Sequence, residues 1–118
     1  MIGKKLIRCW RLRQATGSRG ERIAARLLKR EGLKIIDRNR RIGGVEIDLI
    51  AYDPIRQEFV LVEVKTTADD SDGLRRIDRT KRRRIAIATS IIARSTRVRV
   101  EAVSISLLDG GKIRRRIL

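Results

Sequence analysis

Two periodicities run along this chain. Apolar residues recur at every second position over 45–52, 59–65 and 96–108, and at every third or fourth over 18–31 and 74–94. The first spacing is that of a half-buried strand, the second that of an amphipathic helix. The spacing therefore predicts a helix over 18–31, strands over 33–41, 45–52 and 59–65, a second helix over roughly 74–94, and a strand over 96–108. A short basic edge strand over 112–118 closes the chain. Punctuation agrees with these limits. Ser18 and Glu21 fit a capping box and Gly32 the position after a helix end. Ile42-Gly43-Gly44, Asp53-Pro54 with Arg56-Gln57-Glu58, and Asp109-Gly110-Gly111 read as turns. The polar stretch 66–73 has no period and reads as a mobile loop.

Alternation also sorts side chains by face. Glu46 and Asp48 share one face of their strand, with Val45, Ile47 and Leu49 on the other. Glu63 and Lys65 share a face opposite Val62 and Val64. If these strands pair, three carboxylates and one ammonium converge on a small patch. The first helix buries a stripe of Ile23, Ala24, Leu27 and Leu28. Glu21 lies at the edge of that stripe, where it caps the helix, suits the macrodipole and would meet the carboxylate patch. The second helix carries a stripe of Ile77, Ile85, Ala88, Ile91 and Ile92, but Lys81 and Arg84 fall in it too. Either their stems snorkel or this end of the helix faces a charged site.

Charge adds a partner to the picture. The 118 residues make one domain, 17–118, behind a basic N-terminal arm over 1–16, and 30 Lys and Arg outweigh 14 Asp and Glu to leave +16. No packed core needs that excess; a polyanion partner explains it, nucleic acid ahead of an anionic membrane surface, and the bland reading is a solvated, highly charged surface. Seven of the ten residues from Arg75 to Arg84 are basic (Arg75, Arg76, Arg79, Lys81, Arg82, Arg83 and Arg84). Unpaired like charges at that spacing destabilise a helix, and a phosphate backbone relieves them. Arg40 and Arg41 add to this surface. Trp10, in the arm, suits the edge of a core better than base stacking. No stretch reads as a membrane span or signal peptide, so a cytoplasmic protein without a membrane partner is expected.

The residue types missing from the chain narrow the chemistry. There is no His and a single Cys, Cys9. His acid–base chemistry, Ser-His triads, the usual zinc sites and internal disulfides are thereby excluded. A catalytic metal must take oxygen ligands, which points to Mg²⁺ or Mn²⁺. Such a cation offsets the repulsion of clustered carboxylates, and Lys65 would stabilise developing charge or orient a water. Asp48, then Glu63-x-Lys65, with Glu46 and Glu21 nearby, is thus a kit for phosphodiester hydrolysis. The bland alternative is a solvated sheet face with a cross-strand Glu–Lys pair, worth little energetically.

These motifs resemble a known family. Gly20-Glu21 opening a helix, Asn39-Arg40-Arg41, Glu46-Ile47-Asp48-Leu49-Ile50-Ala51, Val62-Glu63-Val64-Lys65, Lys81, and Arg99 with Glu101 match the YraN-type family of small uncharacterised bacterial proteins. That family is placed in the restriction-endonuclease-like, PD-(D/E)xK superfamily. The resemblance spans about 17–106. It implies an α/β fold with an α-β-β-β-α-β core, a mixed central sheet flanked by helices. It also implies Mg²⁺ held by Asp48 and Glu63, with Lys65 as the catalytic lysine. The layout is similar to archaeal Holliday-junction resolvases, which implies Glu21 as a further metal and active-site group. Cutting both strands of a duplex takes two sites, and so by analogy a homodimer. Three positions depart from the pattern: Val45 where Gly is usual, Thr67 where an Arg often follows Lys65, and Glu101 where Asp is usual.

The expected function is a Mg²⁺-dependent endonuclease acting on DNA, favoured over RNA as the partner, with branched or damaged structures as candidates. The alternative is a non-catalytic nucleic-acid-binding protein that keeps the nuclease fold. A third reading, a basic module for ribosomal RNA or an acidic protein, leaves the four charged residues of the patch unexplained.

Overall fold

The computed structural model describes residues 19–69, 71–108 and 112–118. The N-terminal arm with Trp10, the Ser18 half of the capping box and the turn over 109–111 lie outside the described residues. Helix α1 (Arg19–Arg30) leads into β1 (Lys34–Ile42), β2 (Val45–Asp53) and β3 (Glu58–Thr67). A single 3₁₀ turn (Gly73–Arg76) and helix α2 (Arg79–Ala93) follow, then β4 (Val98–Ser106) and β5 (Ile113–Ile117). The five strands lie in the order β1-β2-β3-β4-β5. Among the described strands only β3 and β4 run parallel, and α2 makes the crossover between them. This is the expected α-β-β-β-α-β core with one added edge strand, a mixed α/β arrangement consistent with a restriction-endonuclease-like fold. No helix among the described residues is long and apolar enough to cross a membrane.

Local rules account for the element ends. Helix α1 closes in a Schellman arrangement: the Leu33 amide donates to Leu28 O at 3.0 Å and the Gly32 amide to Lys29 O at 3.0 Å. Gly43 and Gly44, with φ of 58° and 78°, form the two-residue hairpin that joins Ile42 to its partner Val45. Asp53 Oδ1 accepts the Ile55 and Arg56 amides and so turns the β2–β3 connection.

Two cores sandwich the sheet. Ala24, Ala25 and Leu28 of α1 pack with Leu33, Ile35, Leu49, Ala51, Val60, Val62, Val64, Val103 and Ile105. On the other face Ile85, Ala88 and Ile92 of α2 pack with Ile36, Ile42, Val45, Ile47, Ile50, Phe59, Leu61 and Val100. Burying an aliphatic side chain of this kind stabilises by roughly 1.5–3 kcal/mol.

The structure corrects three expectations. The second helix is not continuous over 74–94. Ile77 is extended, and Asp78 caps a helix that starts only at Arg79. The two short Asp caps, Asp72 and Asp78, break what the apolar period alone joins. Ile77 therefore leaves the helical stripe. The expected loop over 66–73 is also shorter: β3 runs on to Thr67 and the 3₁₀ turn starts at Gly73, while the Thr67 hydroxyl donates to Asp69 O and Ser71 O and Ser106 Oγ donates to Asp69 O at 2.5 Å. Third, Val45, Ile47 and Leu49 do not share a face. Val45 and Ile47 pack in the α2 layer and Leu49 in the α1 layer. The alternation slips at Asp48, across from β1's Asn39, which has φ of 50°.

Candidate active site

The slip at Asp48 marks the place where β2 leaves β3. The paired register of the two strands runs from Asp53/Glu58 to Leu49/Val62 and stops there. The next β3 amide, Val64 N, donates at 2.8 Å to Asp48 Oδ2 in place of a backbone carbonyl. A side chain thus ends the ladder, and the sheet opens beside it. Into this opening β3 brings Glu63 and Lys65, α1 brings Glu21, and α2 brings Lys81.

Glu63 is buried, 4% exposed, in the middle strand of the sheet. Lys65 Nζ lies 3.4 Å and Lys81 Nζ 3.3 Å from its Oε1. Its Oε2 is buried with no hydrogen-bond partner. Burial pushes the Asp48 carboxyl up to about 7; the Glu63 charge and then that of Glu21 add to the rise, against the Val64 amide, which lowers it. A proton on Asp48 would bond the facing Glu63 carboxyl. Asp48, Glu63 and the nearby Glu21 thus set three carboxyl groups against the two ammonium groups of Lys65 and Lys81.

Close packing sets the surrounding elements. A Cβ on Gly20 would lie 1.9 Å from Thr66 Oγ1, so only glycine lets the first turn of α1 approach β3 and bring half-buried Glu21 toward Asp48. A Cβ on Gly73 would lie 2.8 Å from Lys65 Cβ and 2.8 Å from Ser104 Oγ, and the Gly73 amide donates to that hydroxyl at 2.8 Å. The 3₁₀ turn thereby buttresses Lys65. Arg76, on the same turn, donates through Nη2 to Thr66 O at 2.8 Å.

The structure brings together Asp48, Glu63, Lys65 and Lys81, with Glu21 in electrostatic range. It does not bring in Glu46. That side chain is exposed, opposite Arg41 on β1, and is not among the groups acting on Asp48. The slip in alternation takes it off the shared face that regular pleating predicts. Of the basic residues, Arg75, Arg76, Arg79, Arg82, Arg83 and Arg41 are exposed. Arg40 is half-buried, 3.7 Å from the fully buried Asp37. Lys81 alone of the α2 cluster ion-pairs into the site among the described residues, which decides for the charged-site alternative at that end of the helix. Sequence reasoning missed Gly73, Ser104 and Asp78 as supports. Asp78 had a readable signal, an N-cap residue three before Lys81; Ser104 had none, because its role depends on the β3–β4 register.

Among the described residues no three carboxylates stand close enough to form a complete cation cage. The residues present still fit Mg²⁺. That ion keeps several waters and is commonly bound through one or two carboxylates plus substrate phosphates. Asp48 and Glu63 are two such carboxylates, both hard oxygen donors, and one of the oxygens is buried without a partner.

A second charged cluster lies at the opposite end of the sheet, and its character differs. Arg99 donates through Nη1 to Asp53 at 2.9 Å and to Glu58 at 2.6 Å, and through Nε to Glu101 at 3.0 Å. Arg115 on β5 bonds Glu101 at 2.6 Å and Glu31 at the end of α1. Burial raises the Glu101 carboxyl, but hydrogen bonds from Arg115 and then Arg99 overcome it and hold the group below the usual range. A cavity of about 450 Å³ opens here, away from Asp48. Of the positions that depart from the resembled pattern, Glu101 belongs to this cluster, Thr67 ties down the loop after β3, and Val45 fills the α2-side core.

Comparison with known proteins agrees with the motifs. Residues 20–105 match the family described as "Uncharacterised protein family UPF0102". A UPF0102 protein of Pelobacter propionicus is 38% identical over 104 residues, 82% of this chain and 74% of the relative. One of Beutenbergia cavernae is 32% identical over 111 residues, 88% of this chain and 92% of the relative. One of Dechloromonas aromatica is 43% identical over 74 residues, 63% of this chain and 62% of the relative. The chain belongs to the uncharacterised protein family UPF0102.

Proposed function

We propose that this protein is a Mg²⁺- or Mn²⁺-dependent endonuclease that hydrolyses phosphodiester bonds in DNA. The observation that carries the reading is the pairing of half-buried Asp48 with buried Glu63. It lies where two strands part, is served by lysines, and leaves one carboxylate oxygen without a partner. An unsatisfied buried acceptor costs about 1–3 kcal/mol. Asp37 Oδ2, beside Arg40, is another such oxygen; what sets Glu63 apart is that it also interacts with Asp48 and with two lysines.

Asp48 and Glu63 would hold the cation, which supplies Lewis-acid polarisation of the phosphate and a more acidic water. Lys65, fixed by the Gly73 turn, places positive charge where the attacking oxygen and the phosphate meet. The reaction consumes one water: its oxygen joins phosphorus, one P–O ester bond breaks, and the leaving oxygen takes up a proton. Glu21 adds negative charge beside Asp48 and strengthens the seat for a divalent ion. The exposed arginines of the 3₁₀ turn and α2, with Arg40 and Arg41 along β1, supply the phosphate grip. Branched and damaged DNA are the substrates to try first, and paired cuts in a duplex call for a homodimer.

Labelled linear, nicked and four-way-junction DNA, incubated with Mg²⁺ or Mn²⁺, tests the reading. Cleavage is expected from the wild type and not from Asp48→Asn or Lys65→Met. Cleavage that persists unchanged in both variants places the activity elsewhere. One observation favours a second reading, a nucleic-acid-binding protein without catalysis: the incomplete ligand cage among the described residues. That reading expects salt-sensitive binding without cleavage by the wild type.

A further inference from the structure

We propose that Lys81 is a second active-site ammonium which, with Lys65, grips the phosphate under attack; it is not one of the surface cations of α2. The inference rests on the nuclease reading and adds to it a two-lysine site.

The geometry is that of a shared seat. Both ammonium groups approach the same oxygen, Glu63 Oε1, from different elements, at 3.4 Å and 3.3 Å. Oε2 of the same carboxylate has no hydrogen-bond partner. One oxygen thus serves two cations while its twin serves none. Two like charges pinned at one anion repel, and a second anion between them removes that cost. A phosphodiester is such an anion, and the two ammonium groups are close enough together for one phosphate to accept from both. Each brings three donors on a compact charge. An arginine in either place would spread its donors over several acceptors, as Arg99 does over Asp53, Glu58 and Glu101.

The fold aims Lys81 there. Asp78 Oδ1 accepts the Lys81 amide at 2.8 Å, which fixes the first turn of α2. Lys81 is 30% exposed and paired, whereas Arg79, Arg82, Arg83 and Arg84 of the same helix stand in solvent. A surface phosphate contact needs no such burial.

Three variants test this: Lys81→Met, Lys81→Arg and, as a surface comparison, Arg82→Ala. The first readout is Mn²⁺ binding by calorimetry without DNA. Lys81→Met is expected to bind Mn²⁺ about fivefold more tightly, because an ammonium competing for Glu63 is gone. The second is the single-turnover cleavage rate at saturating DNA, where Lys81→Met is expected to lose roughly 100-fold, the scale of one lost transition-state donor. Its DNA affinity in Ca²⁺ stays near that of the wild type. Lys81→Arg folds with the ion pair kept and recovers only part of the rate, so a folding defect in Lys81→Met is separated from loss of function. Arg82→Ala weakens Ca²⁺-supported binding and flattens its salt slope by about one. If Lys81→Met keeps the wild-type Mn²⁺ affinity and saturated rate and only weakens binding, the inference is overturned while the nuclease reading stands. If the wild type itself neither binds Mn²⁺ nor cuts DNA, both fall.

Discussion

The two ends of the sheet solve the same problem in opposite ways. At one end Asp53, Glu58 and Glu101 surround Arg99, and each accepts a hydrogen bond from its guanidinium. At the other, Asp48 and Glu63 face each other with two lysines that reach only one oxygen. Arginine's rigid fork can satisfy several carboxylates at once; lysine's point charge cannot. The first cluster is therefore finished, and it ties β5 and the end of α1 to the sheet. The second is unfinished: Glu63 Oε2 is left without a hydrogen-bond partner. The contrast is one of satisfied against unsatisfied hydrogen bonding, since both clusters carry resembled residues.

The largest expected effect tests the finished cluster. Arg99→Met removes a cationic partner from three carboxylates, of which Glu101 keeps Arg115 and Asp53 keeps its two amides, and should cost about 3–5 kcal/mol of stability in urea melts, the range for breaking a buried pair. A loss under about 1 kcal/mol would mean that the network is a solvated surface feature. The unfinished cluster should respond in the reverse direction. The Asp48 carboxyl, pushed up to about 7, gives stability that is fully present below its ordinary 3.8 and is lost as pH rises to about 7. Asp48→Asn keeps an acceptor for Val64 and removes the charge. It should stabilise the fold by roughly 2–4 kcal/mol at pH 8 and by almost nothing at pH 4, judged by melting at both. Equal effects at the two pH values would remove the charge explanation.

The acid limb offers a finer contrast. Glu101 is held below its ordinary range, so its contribution is present above pH 4.5 and is lost as pH falls through its folded value. In Glu101→Gln the acid-induced loss should be shallower than in the wild type, while the decline between pH 4 and 7 remains. The smallest effect belongs to the exposed arginines. Arg83→Ala should change stability by less than about 0.5 kcal/mol and flatten the salt dependence of DNA binding by about one phosphate contact.

Much of this was legible in the sequence. Alternation placed Glu63 and Lys65 opposite Val62 and Val64, the absence of His confined any metal to oxygen ligands, and the odd position of Lys81 in an apolar stripe pointed to a charged site. Glu46 was misplaced because regular pleating was assumed through Asp48. The slip there depends on where β2 parts from β3 and on Asn39 across the ladder, neither of which is a local property. The break before α2 was readable from Asp78, but the apolar period masked it. The Arg99 cluster was half visible: Arg99 and Glu101 lie two apart on one strand. Their partners Asp53, Glu58 and Arg115 arrive only through the sheet register.

The central claim is that Asp48 and Glu63 form a cation seat and the Arg99 cluster does not. A crystal soaked in Mn²⁺ and measured for anomalous scattering addresses it directly. The account predicts one Mn²⁺ peak beside Asp48 and Glu63 in the wild type, lost in Asp48→Asn, with none among Asp53, Glu58 and Glu101. A peak at the Arg99 cluster, or a wild-type crystal with no peak between Asp48 and Glu63 at saturating Mn²⁺, would contradict it.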